Sequence, residues 1–194
     1  MAERAESIEG VILAAGLSTR MRPYKMALPL GDKTVIASSV ESMVEFVDRI
    51  LVVVGWQAAQ VQKLLVPYAK VRCVFNADYR SGMFSSVKAG LAQVQAARVF
   101  VLPGDHPLIG PQVYARMLAL DDDIVIPTFQ GRKGHPVLLR GGLVPEILAQ
   151  PADSTLRDYI GARGYATVEV ADPGICMDVD SPQDYERLQR RTSQ

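Results

Sequence analysis

Cysteine is nearly missing from this chain of 194 residues: it has two, Cys73 and Cys176. They are too few and too far apart for a disulfide framework or a zinc cluster. A surplus of charge is missing as well, because 21 Lys and Arg stand against 21 Asp and Glu. That balance gives no electrostatic footprint for nucleic acid or an anionic membrane, so any attraction for a polyanion must be local. No apolar run approaches the ~18 residues of a membrane-spanning helix. The opening MAERAESIE carries charges of both signs and does not read as a signal peptide, so a cytoplasmic protein is expected. Internal repeats, low-complexity tracts and Gly/Ser linkers are also lacking. The length then fits one domain, residues 1–194, with a proper core.

Two phosphate-binding motifs are absent too. No glycine directly precedes Lys25, as a P-loop would require. Only Gly16 follows the first expected strand, where a dinucleotide fold needs GxGxxG. A hydride-transfer enzyme of the usual nicotinamide type is thereby disfavoured.

What is present begins with GVILAAGLSTRMRPYK, from Gly10 to Lys25. Val11-Ile12-Leu13 suits a strand buried on both faces. Ala14, Ala15 and Gly16 then remove side-chain bulk where the strand ends, so a ligand can approach the backbone. Ser18 and Thr19 follow, then the cations Arg20, Arg22 and Lys25. Exposed backbone N–H groups followed by cations are what a polyphosphate requires, although an ordinary loop with solvated basic residues has the same look.

Apolar runs and helical stripes alternate along the rest of the chain. Strands are expected at Ile50 to Val54, Val71 to Phe75, Arg98 to Leu102, Ile124 to Pro127 and Ala166 to Val170. Helices are expected at Lys33 to Val47, Gln57 to Val66, Ser81 or Gly82 to about Gln95, Pro111 to Leu120, up to Gln150, and Ser154 to Ile160. A last helix should enter through Ser181-Pro182. FQGRKGHPVLL reads as a hairpin with its turn at Gly131 to Gly134 and a returning antiparallel strand from His135 to Leu139. The fold class is α/β: three layers around a mostly parallel, Rossmann-like sheet with one antiparallel hairpin strand. The order 3-2-1-4 of the first strands would place the Ala-Ala-Gly loop and Asp105 in one crevice at the switch point. Asp105, just past the fourth strand in Pro103-Gly104-Asp105-His106-Pro107, could be a metal ligand or a turn aspartate. Ser85 and Ser86 could offer hydroxyls to a substrate or simply solvate a helix start. Asp121-Asp122-Asp123 reads as a solvated turn rather than a metal cluster.

LAAGLSTRM followed by Lys25 resembles the LAAGxSxRMGxxK signature of the MobA-like nucleotidyltransferases. Within them it is most similar to the molybdenum cofactor cytidylyltransferases, with Arg22 standing where the family usually has glycine. NADYRSGMFSS, LPGDHPLI, GRKGHPVLL and MDVDSPQDY resemble further family segments in the same order. The resemblance implies a nucleotide-diphospho-sugar transferase-like fold and transfer of CMP from CTP to molybdopterin, with Mg2+ and release of pyrophosphate. It implies Asp105 as metal ligand, with Asp180 preferred over Asp178 as the second. Lys25, with Arg20 assisting, would neutralise triphosphate charge, and the backbone of Ala15, Gly16, Leu17 and Ser18 would hold phosphate. Leu13 and Ala14 would border the base, and Ala15, in LAAG rather than LAGG, favours CTP over GTP. Ser85, Ser86 and His135 would face the acceptor, and a molybdenum hydroxylase or its chaperone would be a further partner. The rival expectations are the same chemistry with GTP or a sugar phosphate, a nicotine blue oxidoreductase-like NAD(P)H enzyme, and a non-catalytic cofactor carrier.

Overall fold

The computed structural model describes residues 6–18, 21 and 23–192. Among these described residues, ten strands and seven α-helices alternate. β1 (Ile8–Ala14) leads to a small two-stranded ribbon, β2 (Pro29–Leu30) and β3 (Lys33–Thr34), and then to α1 (Val35–Met43). β4 (Arg49–Val54), α2 (Ala58–Leu65), β5 (Val71–Phe75), α3 (Met83–Leu91) and β6 (Arg98–Pro103) complete the first half. The second half runs through α4 (Pro111–Leu118), β7 (Ile124–Phe129), β8 (Arg132–Lys133), β9 (Val137–Arg140), α5 (Val144–Ala149) and α6 (Leu156–Arg163). It ends with β10 (Ala166–Glu169) and α7 (Pro182–Thr192).

The main sheet has the order β10-β7-β9-β6-β1-β4-β5, with β8 paired to β7. β1 pairs in parallel with β4 on one side and β6 on the other, and β5 extends the parallel part beyond β4. The third, second, first and fourth strands of the sequence analysis thus lie in the expected order. β9 is antiparallel to both β6 and β7, whereas β10 returns parallel to β7.

Alternation along each central strand sorts the core into two halves. Ile12, Ile50, Val52, Phe100 and Leu102 face α1, α2 and α4. Val11, Leu13, Leu51, Val53, Val99 and Val101 face α3, α5 and α6. All eleven are buried, Leu13 least at 9% exposed, as a parallel sheet covered on both faces demands. A fully buried aliphatic or aromatic side chain contributes about 1.5–3 kcal/mol, so these central strands form the rigid frame for whatever sits at their carboxyl ends.

Several boundaries differ from the expectation: α1 ends at Met43 instead of Val47, α3 at Leu91 instead of about Gln95 and α4 at Leu118 instead of Leu120, and three differences have a local cause. α1 begins at Val35, not Lys33, because a turn through Gly31 at φ 63° lets Lys33–Thr34 pair with Pro29–Leu30. Thr34 then caps α1 by accepting a hydrogen bond from the Ala37 amide. α3 begins at Met83 because Gly82, at φ 105°, breaks the helical path. The tight hairpin turn lies at Gln130-Gly131, both with positive φ, so Arg132–Lys133 already pairs back onto β7 and the longer return strand starts only at Val137. α7 starts as expected, with Ser181 and Asp184 exchanging backbone and side-chain hydrogen bonds in a capping box. It packs over the β2–β3 ribbon through Leu188, which shares a small apolar cluster with Leu28, Leu30, Val35 and Val179.

Candidate active site

The carboxyl ends of β5, β4, β1 and β6 are tied to one another beyond the strands themselves. The Gly104 amide donates to the Leu13 carbonyl at 2.9 Å, Trp56 N to Ala15 O at 3.3 Å, and Asn76 N to Val54 O at 2.9 Å. Asp105 is thereby fixed next to the small residues that end β1. Ala14 and Ala15 are buried, whereas Gly16 and Leu17 are exposed. Ser18 adopts a left-handed φ of 54°, and its Oγ accepts the Lys25 amide at 3.2 Å. Tyr24 donates its hydroxyl to the Ala14 carbonyl at 2.9 Å, and burial pushes its pKa up, so it stays a donor. These contacts bring Tyr24 and Lys25 back to the end of β1. Arg20, expected to assist Lys25, and Arg22 lie outside the described residues.

Lys25 Nζ lies 2.5 Å from Asp105 Oδ2 and 3.0 Å from Asp180 Oδ1. Burial works against the ammonium, but the two carboxylates outweigh it and raise its pKa above the ordinary lysine value. Burial would likewise raise the Asp105 carboxyl. The His106 hydrogen bond and the Lys25 charge reverse this and hold it well below the usual carboxylate range. Asp180 reaches this point because the extended segment before α7 is hung on Asp105 itself, Val179 N donating to Asp105 O at 3.1 Å, with Val179 fully buried. Asp178 instead lines a surface groove of about 320 Å³ together with Phe129, Arg132, Met177 and Arg187.

Two carboxylate oxygens that converge on one ammonium can also converge on one divalent cation. Their hard oxygen donors suit magnesium, which takes one or two carboxylates and completes its shell with water and substrate phosphates. Among the described residues no group of three or more His, Cys, Asp or Glu could hold a metal, so an all-protein cage is not the arrangement here. Asp121 and Asp123 pair with Arg140 and are exposed turn residues, as the sequence suggested.

Asn76, just past β5, organises Ser85 and Ser86. Its Nδ2 donates to Ser85 Oγ at 2.9 Å and to Ser86 Oγ at 3.0 Å, while its Oδ1 accepts the Asp78 amide. Ser86 is buried, so any effect it has on a ligand passes through Asn76, whereas Ser85 is partly exposed.

His135 stands beside His106, its amide donating to the Ile175 carbonyl at 2.8 Å. Gly134 passes so close that a Cβ there would lie 2.4 Å from the same carbonyl oxygen. His135 Nδ1 is enclosed without a hydrogen-bond partner. Burial, then the neighbouring His106, push its pKa down to about 3, so the ring is neutral.

His106, given no role in the sequence analysis, stands beside Asp105. Its Nδ1 lies 3.0 Å from Asp105 Oδ1, and its ring meets His135 edge-on with centroids 4.8 Å apart. Tyr24 was missed altogether. Adjacency to Asp105 was the one signal for His106; nothing in the sequence marked Tyr24.

The family description "MobA-like NTP transferase domain" matches residues 10–168. A molybdenum cofactor cytidylyltransferase of Escherichia coli (strain K12) is 28% identical over 180 residues, covering 92% of this chain and 94% of that one. A nicotine blue oxidoreductase of Paenarthrobacter nicotinovorans is 28% identical over 203 residues, covering 93% and 96%. Among solved structures, a nucleotidyl transferase from Methanothermobacter thermautotroptrophicus superposes with a TM-score of 0.84 at 22% identity, covering 96% of this chain and 98% of that one.

Proposed function

The chain belongs to the MobA-like NTP transferase domain family and is a nucleotidyltransferase; from that premise we propose that it transfers CMP from CTP to molybdopterin, releasing pyrophosphate, with Mg2+ as the metal. It acts as one domain, residues 1–194, in the cytoplasm. The observation that carries the reading is the convergence of Asp105 and Asp180 on Lys25, beside the small-residue loop that ends β1.

In this reaction a phosphate oxygen of the acceptor forms a bond to the α-phosphorus as the bond to the departing pyrophosphate breaks, and the protein supplies position and charge. Asp105 and Asp180 are the residues to hold magnesium, which when bound neutralises phosphate charge and aligns the reacting oxygens. Lys25 exchanges its carboxylate partners for phosphate oxygens when the nucleotide arrives, with Arg20 assisting. The backbone of Ala15, Gly16, Leu17 and Ser18 cradles phosphate, and Leu13 and Ala14 border the base. Ala15, within LAAG, supports CTP over GTP by the family resemblance. Ser85 and His135 face the acceptor, and Ser86 supports Ser85 through Asn76. The product would then pass to a molybdenum hydroxylase or its chaperone.

The similarity to an oxidoreductase favours a second reading, reduction with NAD(P)H on the same scaffold. Pyrophosphate release with Mg2+ and molybdopterin, compared for CTP, GTP and ATP beside Asp105→Ala, separates the two. Release with CTP alone, lost in the variant, is the expected result. Release with GTP would keep the chemistry and overturn the inference from Ala15. No release with any nucleotide, together with consumption of NAD(P)H, would replace the transferase by the oxidoreductase.

A further inference from the structure

The two oxygens of the Asp105 carboxylate have different partners. Oδ2 faces Lys25 Nζ at 2.5 Å and Oδ1 faces His106 Nδ1 at 3.0 Å. The lysine contact is temporary by the chemistry just described, because Lys25 must turn to phosphate when a nucleotide binds. A carboxylate that loses one of its two contacts is free to rotate about its Cβ–Cγ bond unless the other contact holds it. His106 is built to hold. It is buried, it follows Asp105 directly, its amide donates to the Pro103 carbonyl, and its ring is walled by His135. His135 is in turn anchored by backbone bonds to Ile175 on one side and, through the adjacent Gly134, to Pro127 on the other. With an ionised carboxylate opposite, Nδ1 carries the proton and donates it, so one tautomer is selected.

We propose that His106 is a positioning residue that fixes the orientation of the Asp105 carboxylate through an Nδ1–H···Oδ1 hydrogen bond, leaving Oδ2 for the metal. The proposal rests on the reading of Asp105 as a metal ligand and adds a supporting contact that the family resemblance does not supply. Side chains that orient a ligating group typically matter by about 10–100-fold in metal affinity or activity.

Asparagine and glutamine provide a geometric control. The amide nitrogen of asparagine stands the same number of bonds from the backbone as histidine Nδ1, whereas that of glutamine stands one bond further, near the place of Nε2. The test is titration of wild-type protein, His106→Asn, His106→Gln and His106→Ala with Mn2+ alone, read by the electron paramagnetic resonance of free Mn2+. Turnover with CTP and molybdopterin and a thermal melt accompany each. His106→Ala and His106→Gln should weaken Mn2+ binding about tenfold or more and lower kcat about 10–100-fold, with the nucleotide KM changed less than about threefold. His106→Asn should stay within about threefold of wild type on both measures.

If His106→Ala binds Mn2+ like wild type, or if asparagine falls as far as glutamine, the positioning role is overturned. If His106→Ala fails to fold, asparagine against glutamine decides. Absence of Mn2+ binding both by the wild-type protein and by Lys25→Met, in which no ammonium competes for the carboxylates, would instead overturn the reading of Asp105 as a ligand, so the two failures are told apart.

Discussion

The ammonium of Lys25 lies 2.5 Å from Oδ2 of Asp105, a residue 80 positions further along the chain. The same nitrogen reaches Asp180 at 3.0 Å, so a single cation neutralises both carboxylates that a divalent metal would use. In the proposed reaction lysine and metal compete for these oxygens until a nucleotide draws the lysine away.

Lys25→Met should accordingly separate two effects that usually move together. Turnover should fall on the order of 10²–10³-fold. Mn2+ binding without nucleotide should tighten, about tenfold, because removing the Lys25 charge strengthens the attraction of the two carboxylates for another cation. Weaker Mn2+ binding in this variant would mean that the lysine supports the metal rather than competing with it.

The two aspartates before α7 should be unequal. Asp180→Ala removes a partner of Lys25 and is expected to cost on the order of 10² or more in kcat. Asp178→Ala alters the groove beside Arg132 and Arg187, and should change kcat less than about threefold. Equal losses would show that both reach the reaction centre.

Trp56 is the single tryptophan and lies just past β4, 39% exposed, with its amide on the Ala15 carbonyl. Its fluorescence should change saturably on titration with CTP and not with an equal concentration of pyrophosphate. A response to pyrophosphate alone would place the tryptophan near the phosphates instead of the base.

His135 makes stability depend on pH in a definite window. Its folded pKa, about 3, lies below the ordinary 6.5, so between these values the unfolded chain binds the extra proton. Stability is fully present above about 6.5 and declines as pH falls, by up to about 1.4 kcal/mol per pH unit. His106 and Arg157 add to the effect, whereas Asp105 opposes it. The Asp105 carboxyl is itself depressed from 3.8, so its own contribution is lost only at lower pH. Urea unfolding between about pH 4.5 and 7 should show a shallower slope for His135→Gln than for wild type. Equal slopes would show that the ring is solvated.

Gly134→Ala would drive a methyl group into the Ile175 carbonyl, whose oxygen lies 2.4 Å from the position of the added Cβ. A destabilisation of about 1–3 kcal/mol is expected, read as a fall in Tm of about 2–4 °C for each kcal/mol. An unchanged Tm would show that the hairpin and the turn at Pro173–Cys176 move apart freely.

The sheet was legible because each central strand is a short apolar run bounded by turn residues, and because parallel strands force right-handed crossovers. The signal failed where contacts outweigh local preference. Lys33 carries a helix-compatible pattern, yet it pairs with Leu30 once Gly31 turns the chain. β10 could be read as a strand, but its parallel place beside β7 depends on contacts no periodicity encodes. Asp105 and Lys25 were legible as chemistry, but their mutual contact was not. Each was assigned a separate partner, metal or phosphate, and nothing in the sequence reports that the two meet.

The hydrogen bond from Val179 to Asp105 has a consequence for how the protein comes into being. The parallel strands that support the loop after β1 are all made by residue 103, yet the second carboxylate arrives only with residue 180. During synthesis the residues of the central parallel strands are all present long before the last member of the lysine–carboxylate triad. A polypeptide whose translation stops before that segment would carry the Lys25–Asp105 half of the triad and lack the other, so on the proposed role of Asp180 its activity would report that the chain was read through to that residue.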